Sequence, residues 1–357
     1  MNNNLITGYY GMRNYGDDLF SVLTYLGLKK HNLVYNCKII SPRQNNDLNL
    51  DYSCFGVFKH GYPYLNKYGT AVRVMNVLYA LQNKVDNIFF AGGSLYSSDS
   101  FSTADLMYKK KNCNFHAMGV SVGPYKNGTA EKKVIDNLKR YSYISLRDKK
   151  SYERVKSYNL DAKIVLASDL AGLGVELIEK KPKKNNTLKH IGFSPCWIDG
   201  EKEKTFQYIN DFYDQISKLD NTLEYKVIIL CLNENPSNGD ISLCQEIEKK
   251  LLARGINCAL VYYSSLGVLG TWYAINDLDF YFTVRLHGAI TAYLTETPFY
   301  LYEYHEKCTE FLRFIGKEGN NPEVNFDSEL LKTTLLPVND YGHFSKLNLV
   351  EHPFYKG

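Results

Sequence analysis

The chain has 357 residues, 45% hydrophobic and 22% charged, which places it among globular proteins with room for two separately cored domains. Its formal charge of +4 (42 basic minus 38 acidic) is too mild and too evenly spread for a dedicated nucleic-acid surface. Eight cysteines show neither a Cys-x-x-Cys pair nor a zinc-like Cys/His spacing, so they read as reduced, partly core-filling thiols, and no metal site is expected.

Residues 1–7 lack a basic segment followed by a long apolar one, and no apolar run reaches membrane-spanning length, which predicts a cytoplasmic protein. Short apolar runs at 5–7, 38–40, 87–91, 114–118, 143–146 and 163–167 predict strands in the first half. A second set is expected at 189–194, 225–230, 257–262, 279–283 and 298–302, with helices at 205–219, 241–253 and 266–275 among them. Strands alternating with helices predict an α/β protein of parallel sheets. Residues 179–187, rich in lysine and holding a proline, read as a linker whose lysines are solvated or rest on an anionic membrane surface. The expected division is an N-terminal Rossmann-like domain at 1–182, a second at 183–330 and a C-terminal tail at 331–357. Two doubly wound domains facing across a cleft would bind ligands at the carboxyl ends of their strands.

The unusual residues fall at those ends. After the first strand, residues 8–18 form a glycine-rich turn that opens a helix, without the Gly-Lys-Ser/Thr ending of a phosphate loop. Asp17 is there either a helix cap or an acceptor for sugar hydroxyls. Later strand ends carry Gly92-Gly93-Ser94, Gly119 to Gly123-Pro124, Arg147-Asp148 and Ser168-Asp169.

The best chemical site follows the run at 279–283, where Arg285-Leu286-His287-Gly288 leads into a helix of small residues. A guanidinium fork holds carboxylate or phosphate, the first amides of a helix add to that, and an imidazole exchanges protons near neutral pH. The pattern points to an anionic substrate and acid–base chemistry; an Arg–Asp pair and a His bonded to a carbonyl would be the plainer reading.

Taken in order, Gly11-Met-Arg-Asn14-Tyr-Gly16-Asp17, Gly92-Gly93-Ser94-Leu95, Gly119-x-x-x-Gly123-Pro124, Arg147-Asp148-x-x-Ser151, Ser168-Asp169, Arg285-Leu-His287-Gly288, Thr297-Pro298 and Tyr304-x-x-Lys307 resemble the polysaccharide pyruvyl transferase family. Ser94, Ser121 and Leu170 depart from that pattern. The resemblance implies a GT-B-like fold and transfer of pyruvate from phosphoenolpyruvate to a sugar as a cyclic ketal, in capsular or other cell-envelope glycan synthesis. It implies phosphoenolpyruvate as co-substrate, no cofactor, and a sugar or lipid-linked acceptor met in the cytoplasm or at the inner membrane surface. His287 is then the catalytic residue and Arg285, Arg147, Gly288 and Lys307 the donor site. Asn14, Asp17, Gly92, Gly93 and Ser94 are the acceptor site. A nucleotide-sugar glycosyltransferase and a non-enzymatic glycan-binding protein remain as alternatives.

Overall fold

The computed structural model describes residues 3–33, 36–42, 48–53, 69–97, 103–184, 188–198, 200–219, 224–317 and 336–350. The chain divides into two compact units. One comprises Met1–Met12, Asp17–Leu177 and Tyr341–Gly357, the other Arg13–Gly16 and Ile178–Asp340.

The first unit is built on β1 (Asn3–Thr7), β2 (Asn36–Ile39), β3 (Asn87–Ala91), β4 (Asn114–Val120), β5 (Tyr141–Leu146) and β6 (Lys163–Leu166). They form one parallel sheet in the order β2-β1-β3-β4-β5-β6. Strands covered on both faces must be apolar throughout, and β3 is buried along its whole length. Helices α1 (Tyr15–Lys30), α2 (Gly69–Leu81), α3 (Thr103–Met107), α4 (Gly128–Leu138), α5 (Lys149–Lys156) and α6 (Gly174–Leu177) occur along this part of the chain. The order changes direction between β1 and β3, the switch point at which such sheets open a crevice beyond their carboxyl ends. Asparagines occupy the other end: Asn87 donates to Asn4 at 2.7 Å and Asn114 to Asn87 at 3.2 Å.

The second unit contains β7 (Lys189–Ser194), β8 (Tyr225–Cys231), β9 (Cys258–Tyr262), β10 (Phe280–Thr283) and β11 (Phe299–Leu301). Their parallel order is β11-β10-β7-β8-β9, with the switch point between β7 and β10. Along it run α7 (Lys202–Ser217), α8 (Ile241–Ala253), α9 (Tyr263–Asn276), α10 (Leu286–Leu294) and α11 (Glu306–Phe314), followed by α12 (Val338–Val350). Phe193, Phe212 and Phe282 pack together at its core, with Phe193 and Phe212 stacked at 3.9 Å. Among the described residues no helix is long and apolar enough to cross a membrane.

One segment differs from the sequence expectation. Residues 331–357 were expected as a separate tail, yet from Tyr341 onward they belong to the first unit. Ser168 Oγ donates to the Tyr341 carbonyl at 3.1 Å, Ser345 Oγ to the Asp169 carbonyl at 2.8 Å and Tyr143 Oη to the Leu347 carbonyl at 2.6 Å. These bonds join hydroxyls of β5 and of the segment after β6 to carbonyls of α12, and the Asp169 carbonyl to Ser345, which a weakly patterned helix does not announce in sequence. The lysines of the expected linker are exposed, as the solvated reading has it, and make surface contacts with the second unit. Lys180 pairs with Glu296, Lys184 with Asp277, and Lys183 donates to the Leu278 carbonyl.

Candidate active site

In the second unit, β10 ends at Thr283 and α10 starts at Leu286. Thr283 Oγ1 accepts the Arg285 N–H at 3.0 Å and donates to the Arg285 carbonyl at 3.2 Å, which fixes the turn between them. Gly288 is needed for packing, because a Cβ there would stand 2.7 Å from Tyr281 Oη and 2.9 Å from Thr283 Oγ1. The first turn of a helix presents amides that no intrahelical carbonyl faces, so Leu286 and Gly288 open a cradle for an anion.

Arg285 does not stand alone there. Its Nε donates to Asp240 Oδ2 at 2.8 Å and its Nη2 bonds the same oxygen. The Asp240 side chain is fully buried, whereas 21% of Arg285's remains accessible. Burial holds the Asp240 carboxyl above its ordinary range against the opposing pull of the guanidinium, and the carboxylate in turn keeps Arg285 charged. The pairing is the plainer of the two readings of Arg285, and it also sets the plane of the guanidinium while leaving Nη1 out of the Asp240 contact. Sequence reasoning missed Asp240, although it precedes α8 in a Gly-Asp step that resembles a helix cap. Its side chain makes no capping bond there.

The turn after β1 supplies the other wall. Residues Arg13–Gly16 belong to the second unit and run antiparallel to the segment after β8. Glu234 N–H donates to the Arg13 carbonyl at 2.9 Å and Tyr15 N–H to the Leu232 carbonyl at 3.0 Å. Tyr15 Oη bonds Thr291 Oγ1 on α10 at 2.9 Å. Gly16 then lies directly on His287, since a Cβ on Gly16 would fall 1.9 Å from the imidazole Nδ1. Asn14 and His287, separate in sequence, thus share one unit with Arg285, Gly288 and Lys307.

Asn14 also corrects the expected cap of α1. Its Oδ1 accepts the Gly16 N–H at 3.2 Å, which makes it the capping residue, and Asp17 lies inside the first turn. Lys307 is exposed at the start of α11, its Nζ 5.9 Å from the centroid of the Tyr304 ring. Nearby Cys196 is buried, which pushes its thiol up to about 11 despite the lowering effect of Arg285.

The first unit gathers the remaining residues at the carboxyl ends of its strands. Gly92 and Gly93 have φ of 73° and 80°, a region that favours glycine. At Gly92 a Cβ would lie 2.3 Å from the Phe20 ring, and at Gly93 it would lie 3.7 Å from Asp17 Oδ1. Arg147 Nη1 donates to Asp169 Oδ2 at 2.9 Å, Nε to Ser121 Oγ at 2.8 Å and Nη2 to Ser94 Oγ at 3.4 Å. Only 8% of its side chain is accessible, so within this unit it ties four strand ends together. The adjacent Asp148 is not its partner: Asp148 accepts the Ser151 N–H at 2.7 Å and the Ser121 hydroxyl at 2.8 Å. Among the described residues no group of three or more His, Cys, Asp or Glu is placed to hold a metal ion.

Residues 14–306, which take in the Asn14 strip, the glycines after β3, Arg147 and the Arg285–His287 turn, match polysaccharide pyruvyl transferase. The chain belongs to the polysaccharide pyruvyl transferase family. Of the pyruvyl transferase site residues expected from sequence, all but Lys307 lie inside the match. No curated protein matches the chain. Among solved structures it is similar to UDP-GlcNAc 2-epimerase from Neisseria meningitidis bound to UDP-GlcNAc, at 12% identity and a TM-score of 0.61, over 97% of this chain and 98% of that one. The S. aureus MnaA–UDP structure gives 11% identity and a TM-score of 0.62, over 97% and 91%. The UDP-GlcNAc 2-epimerase of Methanocaldococcus jannaschii in complex with UDP-GlcNAc and UDP gives 11% and 0.58, over 97% and 99%. At these identities the likeness concerns the fold, and this pyruvyl transferase family member is GT-B-like with two parallel α/β units.

Proposed function

We propose that the protein moves the pyruvate unit of phosphoenolpyruvate onto two hydroxyls of a sugar in a capsular or other cell-envelope glycan precursor, closing a cyclic ketal. The observation that carries this reading is the Arg285 fork, held by Asp240 beside the opening turn of α10, with His287 in that same turn. Phosphoenolpyruvate concentrates carboxylate and phosphate charge on three carbons, and a fixed guanidinium with helix amides suits such a dianionic group. Lys307 adds a cation from α11.

In this scheme the methylene carbon takes a proton, and the first sugar oxygen bonds C2 and gives up its proton. The C2–O bond to phosphate then breaks with the electron pair leaving on phosphate. The second sugar oxygen bonds C2 and loses its proton in turn. Two hydroxyl protons are released, one replacing the proton taken up by the methyl group and the other leaving with phosphate or solvent. His287 exchanges protons with the hydroxyl or the methylene. Asn14, Asp17, Gly92, Gly93 and Ser94 serve the acceptor, with Arg147 holding Ser94 in place. The reaction as written calls for no cofactor, and its setting is the cytoplasm or the inner membrane surface.

Calorimetric titration of phosphoenolpyruvate into wild type, Arg285→Ala and His287→Ala tests the reading. Binding should weaken by about thirtyfold or more in Arg285→Ala, the cost of losing a charge-assisted contact. In His287→Ala binding should persist while turnover with an accepted sugar falls by about a hundredfold. The fold neighbours crystallised with UDP make nucleotide sugars the control. A nucleotide sugar that binds where phosphoenolpyruvate does not would replace pyruvyl transfer with glycosyl transfer.

A further inference from the structure

Helix α2 in the first unit is apolar on both faces. Its inner face buries Gly69, Val72, Asn76, Val77 and Ala80. Its outer face carries Val74, Met75, Leu78 and Tyr79, of which Met75 is 40%, Leu78 50% and Tyr79 40% exposed. Their spacing follows the helix repeat, so they make one stripe. A helix apolar all round belongs inside a protein or in a lipid interface, and a clustered exposed patch signals a partner.

Charge identifies that partner. From Gly69 to Val85 the chain holds Arg73 and Lys84 and no acidic residue. Beside α2 packs α3, followed by the run Lys109-Lys110-Lys111. Lys110 Nζ donates to the Leu81 carbonyl at 2.8 Å and the Asn83 carbonyl at 3.0 Å, which fastens that run to the end of α2. Lys84, Lys109 and Lys111 are exposed there; the nearby acids are Asp86, paired with Lys84, and Asp105 on α3, paired with Lys133. A second copy of the chain would bring basic rim against basic rim across a two-fold axis.

We propose that the outer face of α2 docks on an anionic lipid bilayer, the Val74, Met75, Leu78 and Tyr79 side chains entering the headgroup boundary and Lys84, Lys109 and Lys111 meeting lipid phosphates. The linker lysines, which lie on the second unit, are not needed for this. The surface stands independently of the reaction catalysed.

Co-sedimentation of the full chain with phosphatidylglycerol/phosphatidylcholine vesicles, and with phosphatidylcholine alone, tests it. The wild type should bind the anionic vesicles at least about tenfold more strongly than the neutral ones. Met75→Ser/Leu78→Ser should lower anionic binding about tenfold, and Lys84→Gln/Lys109→Gln/Lys111→Gln should abolish the preference, both with unchanged thermal unfolding. Absence of binding, equal binding to both vesicles, or a dimer that the serine variant dissociates without changing sedimentation would overturn the proposal.

Discussion

Asp240 occupies the place of a helix cap, yet its Oδ2 goes to Arg285, 45 residues away in sequence, and its Oδ1 accepts the Trp197 N–H at 3.4 Å. Removing one member of a buried pair leaves the other charge uncompensated, whereas removing both need cost little. Asp240→Asn should therefore lower stability by about 3 kcal/mol in urea denaturation, while Asp240→Leu/Arg285→Met restores most of it. Equal losses in the two variants would show that the pair does not act as a unit. Gly16 works at the same scale through what it lacks, since no side chain fits between its backbone and the His287 imidazole.

Among elements, the parallel strands were legible because burial on both faces makes each a short apolar run, and β3, β7 and α8 begin and end where the sequence placed them. The start of α1 was not, since Asn14 and Asp17 are both capping residue types three positions apart and only the backbone decides between them. Asn14→Ala should cost about 1 kcal/mol in thermal or chemical unfolding, and Asn14→Ser only a small part of that. An unaffected Asn14→Ala protein would mean that the strip's bonds to Leu232 and Glu234 alone hold the turn. The juxtaposition of Arg285 and His287 at one strand-to-helix turn was legible because both residues lie within one short segment. Asp240 was not, since its partner is reached only through the fold. Arg147 was read as a donor ligand, but a sequence gives no sign of the three acceptors that surround it.

For the whole molecule, the buried thiols and phenols set an alkaline limit. Burial pushes Cys113 and Cys196 up to about 11 and Tyr108, Tyr213 and Tyr300 up to about 12, from ordinary values of 9.0 and 10.0. Between those values the folded chain keeps protons that the unfolded chain has lost, so stability falls as pH rises. Lys317 acts the other way. Burial lowers it to about 8 from 10.5, so across that interval the unfolded chain binds more protons and stability gains. Lys317 is one group against many, so unfolding midpoints should change little up to about pH 9 and decline steeply above it. A midpoint that still climbs at pH 10 would contradict this balance.

The four residues Arg13–Gly16 and the returning segment Tyr341–Gly357 mean that neither unit is a continuous stretch of polypeptide. A ribosome makes the whole of Ile178–Asp340 before the first unit has its last helix, and the strip of the second unit is made ahead of that unit's body. The first unit is therefore completed only after the second has been synthesised. Cutting the gene at the linker would yield two fragments, each missing a piece carried by the other.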